Sequence, residues 1–299
     1  MKALNSLIVS FVKMLPQSIV YIFAKKYIAG TRLEDGINVV KDLNKKGICA
    51  TMDVLGEAIS TRKEAESAKN DCLNVLDEIN KNHLDSNISI KPTQFGLLID
   101  EDFCYNLVKE VVERAKSYNN FVRIDMEDSS TTDAIIRLFS KLKKDYSNVG
   151  IVVQAYLIRT MNDVKALNEI GTNYRLCKGI YIEPAEIAFK EKEKIRESFI
   201  ALLKKMLADG NYVGIATHDD YLIEKAYQII KENNYDKSKF EFQMLYGVKE
   251  NLRDKINKDG YKIRIYVPFG ERWYAYSVRR LQENPQVAWY ITKSIFSLN

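Results

Sequence analysis

Apolar residues gather in short β-branched runs set apart by longer charged stretches, and the alternation repeats along the chain. Eight such runs are ICATMDV at 48–54, ISIKP at 88–92, FVRIDM at 121–126, GIVVQAYL at 150–157, NYRLCKG at 173–179, YVGIATH at 212–218, KFEFQML at 239–245 and YKIRIYV at 261–267. Runs of this length, rich in Val, Ile, Phe and Tyr, read as strands. Charged segments of helical period lie between most of them, as at 186–207 and 221–232, although the link between the fourth and fifth runs is short. Repeated strand–helix alternation predicts an α/β fold with a parallel sheet. Eight units in one chain close most simply into a TIM-type (β/α)8 barrel, with an open doubly wound sheet as the alternative.

Polar residues stand at the C-terminal ends of these runs: Asp53, Lys91, Asp125, Gln154, Lys178, His218, Gln243 and Tyr266. A polar group inside a buried parallel strand is costly unless it is paired. Gathered at one end of every run, these groups would share the barrel face where active sites form. Ahead of the first run the chain is apolar at 7–11 and 19–24, with Lys13 and Pro16 interrupting. Neither stretch is long enough to span a bilayer, and no signal-peptide cleavage pattern follows. The reading is a pair of short extra N-terminal helices, with residues 1–30 packed on a catalytic barrel of residues 31–299. Contact with a membrane surface is the sharper alternative for this segment.

Composition narrows the class. At 299 residues, 46% apolar and 28% charged, the chain suits one barrel with an added segment. The net charge of +5 is spread without a basic stripe carrying aromatics, so nucleic acid is not expected. A mild basic excess suits weak contact with an anionic membrane. Cys49, Cys72, Cys104 and Cys177 are scattered with no C-x-x-C, which points to a reducing, cytoplasmic compartment. His83 and His218 are the only histidines, so no metal site is expected. No GxGxxG follows the first strand and no P-loop occurs, so a Rossmann dinucleotide site is not indicated.

Five segments carry candidate chemistry. In YSVRRLQEN at 276–284, Tyr276, Arg279, Arg280 and Glu283 share one helical face. Paired guanidinium forks suit a carboxylate ligand, while a solvated, salt-bridged face is the plainer reading. Lys91 in SIKPTQFG at 89–96 reads as a further cation, a Schiff-base amine or an exposed loop lysine. Asp125 in RIDMED at 123–128 would neutralise and hold nearby cations, and the Ser/Thr run after it reads as a helix N-cap. In RLCKGIYIEP at 175–184, Arg175, Lys178 and Tyr181 bracket Gly179, which would let a cofactor approach the backbone. Thr217 and His218 in IATHDD at 215–220 suit phosphate contacts at a helix start that Asp219 or Asp220 would cap, although a satisfied core histidine is as ordinary.

In order and spacing, TMDVLGEA at 51–58, SIKPTQFG, RIDME, VQAY at 153–156, RLCKGIYIEP, ATH at 216–218, FEFQMLYG at 240–247, and IYVPFG through YSVRRLQEN at 265–284 resemble the proline dehydrogenase family, specifically its bacterial monofunctional members. The likeness runs over residues 25–299. Cys177, Ile180 and Ile182 stand where the family more often has valine, alanine, and an aromatic or leucine. The resemblance implies a barrel that binds FAD without a Rossmann fold. It implies oxidation of L-proline to Δ1-pyrroline-5-carboxylate, the first step of proline catabolism, by hydride transfer to flavin N5, with a membrane quinone reoxidising the flavin. By matching motif positions, Lys91, Arg279 and Arg280 would hold the substrate carboxylate, and Tyr266, Tyr276 and Leu245 would wall its ring. Arg175 would sit near flavin N5 and Asp125 would order the cations. Met126, Gln154, Lys178, Gly179, Ile180, Thr217 and His218 would contact FAD. Since the first and eighth units of a closed barrel are neighbours, Glu57 and Arg279 would meet as a gate over bound substrate. The chain would work in the cytoplasm, peripheral on the inner face of the cell membrane. From the residues alone, a Schiff-base lyase using Lys91 or Lys178 and a non-catalytic amino-acid-binding barrel stay open.

Overall fold

The computed structural model describes residues 17–56 and 59–283, and for residues 18, 19, 23 and 279–283 the backbone alone. Each of the eight runs overlaps a strand, and β2, β4 and β8 reach one or two residues outside theirs: β1 Cys49–Val54, β2 Ser86–Ile90, β3 Val122–Ile124, β4 Val149–Gln154, β5 Asn173–Cys177, β6 Tyr212–Ala216, β7 Phe240–Leu245 and β8 Ile263–Phe269. All are parallel and pair in chain order, and β8 closes onto β1 with Cys49 opposite Arg264 and Val54 opposite Phe269. The architecture is a (β/α)8 barrel of TIM type.

Helices α1 Gln17–Ala24 and α2 Leu33–Asn44 precede β1. Then α3 Arg62–Lys81, α4 Glu101–Ser117, α5 Thr132–Lys143, α6 Thr160–Asn168, α7 Lys192–Ala208, α8 Asp220–Glu232, α9 Glu250–Lys258 and α10 Trp273–Glu283 follow the strands in turn. The short link after the fourth run still holds a helix, the 9-residue α6. Helix α7 starts at Lys192, not at residue 186. The intervening backbone is used elsewhere: the Phe189 N–H donates to the Tyr156 carbonyl, and the Ile158 N–H to that of Ile187. The Ser/Thr run before α5 is likewise not a side-chain cap. The Ser129 amide and hydroxyl donate to the Glu183 carboxylate, tying two βα loops together, and the Thr131 hydroxyl turns back to the Asp128 carbonyl.

Successive strand residues face opposite ways. The outward set, including Ile88, Ile90, Val122, Ile124, Ile151, Ile215, Phe240, Phe242, Ile263 and Ile265, packs under the helices as one continuous core. The inward set is polar well below the rim. Arg123, Arg175, Glu241 and Arg264 are all buried inside the barrel. Polarity therefore does not begin only at the strand ends, as the sequence pattern implied; it runs down the interior, in ion pairs for Arg175 and Arg264 and in hydrogen bonds for Arg123. Arg264 donates through Nε and Nη2 to Glu241 at 2.7 and 3.2 Å, and through Nη1 to the Ala50 carbonyl at 2.6 Å. Arg123 donates to the Asn173 carbonyl at 2.7 Å; burial, and then the Arg175 charge, pull its guanidinium down to about 9.

Helix α1 lies against α10, where Val20, Ala24 and Ile28 meet Leu55, Trp273, Tyr276 and Val278, and the Tyr21 and Trp273 rings sit 4.9 Å apart. Among the described residues no helix is long and apolar enough to cross a membrane.

The Glu241–Arg264 pair yields a stability prediction. Burial pushes the Glu241 carboxyl up, but the Arg264 charge and hydrogen bonds outweigh it and hold the group down to about 2. A carboxyl depressed in the fold stabilises above its unfolded value of about 4.3 and loses that contribution as pH falls through its folded value. Arg264→Met, which strips Glu241 of that partner in a buried site, should cost about 3–5 kcal/mol in urea unfolding at pH 7. Glu241→Gln should flatten the loss of stability between about pH 4 and pH 2. Unfolding midpoints equal to wild type in both variants would show that the pair does not hold the barrel.

Candidate active site

The C-terminal ends of the strands surround a cavity of about 570 Å³, lined by residues just after β2 and β3, by residues in and after β4 to β8, and by Tyr276 of α10. At its floor lies a compact charged cluster. Lys91, at the end of β2, places its ammonium 2.7 and 2.8 Å from the two carboxylate oxygens of Asp53 on β1. It also donates to the Tyr266 hydroxyl at 3.2 Å. That hydroxyl donates to Asp125 Oδ2 at 3.0 Å. The other oxygen of Asp125 accepts from Ser89 at 2.9 Å and from Arg175 Nη1 at 2.7 Å. Arg175 Nη1 also reaches the Ser89 hydroxyl at 2.9 Å, while Nε donates to Gln243 Oε1 at 2.5 Å. Two carboxylates thus face two cations.

Burial pushes the Asp53 carboxyl above its usual range, against the pull of the Lys91 charge. Burial also drives the Tyr266 phenol well above its usual value, and the Asp125 and Asp53 charges add to it. A phenol so raised stays protonated, which matches its donating to Asp125 while accepting from Lys91. Lys91 is buried, not an exposed loop lysine. A lysine gripped by a carboxylate is also a poor Schiff-base nucleophile, which needs a free neutral amine.

The rim is built differently. Lys178 Nζ stands 3.4 Å from Asp219, which accepts from Arg196 at 2.7 and 3.0 Å. Burial would raise the Asp219 carboxyl, but these cations bring it down to about 2. Asp219 is the N-cap residue of α8 by position only, because its side chain is spent on the cations. Thr217 accepts the Asp219 backbone N–H at 3.2 Å. His218 Nε2 accepts the Leu245 N–H at 2.8 Å, so that nitrogen serves the β6–β7 junction and not a phosphate. Gln154 donates to the Glu127 carbonyl at 2.9 Å. Glu127, raised by burial, accepts the Thr93 amide and hydroxyl at 3.0 and 2.5 Å and so braces the turn after Lys91. Gly179 has φ +106°, and a Cβ there would lie 2.0 Å from the Tyr156 ring. Packing against Tyr156 and the positive φ both call for glycine here.

Of the residues singled out from sequence, Lys91, Asp125, Met126, Gln154, Arg175, Lys178, Gly179, Ile180, Thr217, His218, Leu245, Tyr266 and Tyr276 all line this one cavity. Arg279 and Arg280 lie on α10 one turn beyond Tyr276, but their side chains fall outside the described residues, as does Glu57. The gate between Glu57 and Arg279 therefore has no observed geometry. Sequence reasoning noted Asp53 and Gln243 as strand-end polar residues without giving them roles, and passed over Ser89 and Glu127. Ser89 was readable, since period-two alternation puts it on the face of Lys91. Glu127 lies in a loop and gave no signal. Among the described residues no cluster of metal-binding side chains occurs.

A double-mutant cycle on unfolding free energy tests the floor of the cavity. Asp53→Asn, Lys91→Met and the pair should give a coupling of about 1–3 kcal/mol, as for directly paired residues. Strict additivity would mean that the two side chains do not act together.

The proline dehydrogenase family model matches residues 37–290. Proline dehydrogenase 1 of Bacillus subtilis subsp. natto is 38% identical over 272 residues, covering 91% of this chain and 90% of its own. Proline dehydrogenase of Deinococcus radiodurans is 31% identical, covering 91% and 89%. Among solved structures, proline utilization A from Bdellovibrio bacteriovorus inactivated by N-propargylglycine superposes with a TM-score of 0.82 at 27% identity. The match spans 88% of this chain and 32% of that longer one.

Proposed function

The chain belongs to the proline dehydrogenase family, and from that premise we propose that the cavity binds FAD and L-proline together and that its residues orient proline for two-electron oxidation to Δ1-pyrroline-5-carboxylate, with FAD as the oxidant. The observation that carries this reading is the cluster at the cavity floor. Arg175 is fixed through Nη1 and Nε, and its Nη2 has no hydrogen-bond partner among the described residues. A guanidinium held ready in a buried site favours negative charge developing beside it.

The residues present fit a flavin. A cavity of about 570 Å³ lies within the range of cofactor sites, about 300–1,000 Å³. Ile180, 36% exposed, is an apolar lining residue that a planar ring system would cover. Met126, Gln154, Lys178, Gly179, Ile180, Thr217 and His218 would hold FAD, with Lys178 as a cation for its phosphates. When bound, FAD supplies a hydride acceptor at N5 for C5 of proline. The floor cluster balances its own charges, so an incoming carboxylate needs further cations. Arg279 and Arg280 would supply them beside Lys91, while Tyr266, Tyr276 and Leu245 wall the ring. Asp125 orders Lys91 and Arg175 through Tyr266 and directly. Glu57 and Arg279 would close over substrate and exclude water, strengthening the electrostatics inside.

A membrane quinone would reoxidise the flavin, with the enzyme peripheral on the inner face of the cell membrane. Residues 1–30 would form a segment packed on the catalytic barrel of residues 31–299.

The direct test is optical. The purified protein should be yellow, or become so with FAD, and anaerobic L-proline should bleach it. A protein that cannot be loaded with FAD would overturn the reading. For the clamp, Arg279→Met or Arg280→Met should raise the proline KM about 10- to 100-fold with flavin still bound, the loss expected for a charge-assisted contact. An unchanged KM in both would remove the arginines from the site. In the same assay Glu57→Ala should be non-additive with Arg279→Ala in kcat/KM if the gate forms.

A further inference from the structure

We propose that Gln243 and Glu241, two inward residues of β7, are positioning residues that aim the Arg175 guanidinium, and that Gly214 of β6 exists to leave room for the Gln243 amide. The proposal rests on the reading that Arg175 stands beside the reducible ring of the cofactor.

The geometry is a directional chain down the barrel interior. Arg175 Nε donates to Gln243 Oε1 at 2.5 Å. Gln243 Nε2 donates to Glu241 Oε1 at 2.7 Å. Glu241 accepts from Arg264 Nε at 2.7 Å, and Arg264 Nη1 is anchored on the Ala50 carbonyl of β1 at 2.6 Å. A primary amide has an acceptor end and a donor end. Here a guanidinium, which only donates, meets one end, and a carboxylate, which accepts, meets the other. Only one orientation of the Gln243 amide satisfies both, so Glu241 fixes which end Arg175 receives. Gln243 and Glu241 are both buried, so a reversed amide would leave donors facing donors without water to relieve them.

The guanidinium is planar and rigid. Asp125 and Ser89 hold it at Nη1 and Gln243 holds it at Nε. With two nitrogens fixed, the direction of the third is set. Without Gln243 the group could pivot about its Nη1 contacts.

Gly214 supplies an independent observation. It lies between the two strands concerned, paired with Arg175 on one side and Glu241 on the other. A Cβ there would fall 2.4 Å from Gln243 Nε2 and 2.8 Å from its Cδ. Its backbone is not in the left-handed region, so room for Gln243 is the reason for the glycine.

The experiment uses the flavin-loaded enzyme and three variants: Gln243→Met, similar in size but unable to donate or accept, Gly214→Ala, which displaces the amide sterically, and Arg175→Met as reference. Readouts are kcat, proline KM, flavin midpoint potential and thermal midpoint. Gln243→Met and Gly214→Ala should lower kcat about 10- to 100-fold, the scale of a misplaced electrostatic group, with KM within about threefold of wild type. The flavin potential should move negative in all three. Tenfold weaker stabilisation of the reduced flavin corresponds to about 30 mV for a two-electron couple. Should Gln243→Met fail to fold, Gly214→Ala tests the same contact. Should Arg175→Met leave the potential unchanged, the reading of Arg175 fails, and this proposal with it. If Arg175→Met shifts the potential while the folded Gln243 and Gly214 variants keep wild-type kcat and potential, the positioning role alone is overturned. A drop confined to thermal midpoint would also overturn it, as a purely structural effect.

Discussion

Arg175 and Asp125 meet at 2.7 Å inside the barrel, from strands that are not neighbours in the sheet. That contact constrains much of the interior. It draws Ser89, Tyr266 and Lys91 into one connected set, and Asp53 completes the charge balance from below Lys91. Buried charges of one sign would be prohibitive. Alternating them around the barrel lets the fold carry cations to the floor of a cavity, where water cannot screen them. The same alternation continues toward the other end in Glu241 and Arg264, so the site is the upper part of a longer polar column.

The outer layer of the barrel was legible because every second strand residue is aliphatic or aromatic and packs under a helix. In YKIRIYV, Ile263 and Ile265 declare the strand. Arg264 between them is equally consistent with an exposed edge, so the charged interior was not legible. Its partner Glu241 is 23 residues away in sequence, and only the pairing of β7 with β8 brings the two together. Loops misled for a related reason. The segment at 186–191 has helical spacing, but its backbone bonds to the chain after β4. Asp219 looks like a helix cap, yet Arg196 and Lys178 outcompete the helix amides for it. In each case a long-range ionic or backbone partner won over a local preference that was correctly recognised.

The candidate site was better read than its supports. Apart from Glu57, Arg279 and Arg280, whose side chains lie outside the described residues, the residues expected to touch ligand line one cavity, most of them from equivalent places at strand ends, and equivalence is visible in a repeating sequence. Ser89, Gln243 and Glu127 act through those residues: alternation gives Ser89 and Gln243 the inward face but no role, and the loop that holds Glu127 gives no signal. The packing of α1 on α10 is a similar case. Val20, Ala24 and Trp273 show only that each helix has an apolar face, and the structure shows that the faces meet beside Tyr276.

Gly214 and Gln243 share a single volume that only one of them fills. Their histories are therefore bound together. A lineage that gained a side chain at residue 214 would push the Gln243 amide off its present partners, and one that first shortened residue 243 would open a void inside the barrel. Two positions on neighbouring strands, far apart in the chain, are thus coupled in what they can become, and a change at either disturbs how Arg175 is held.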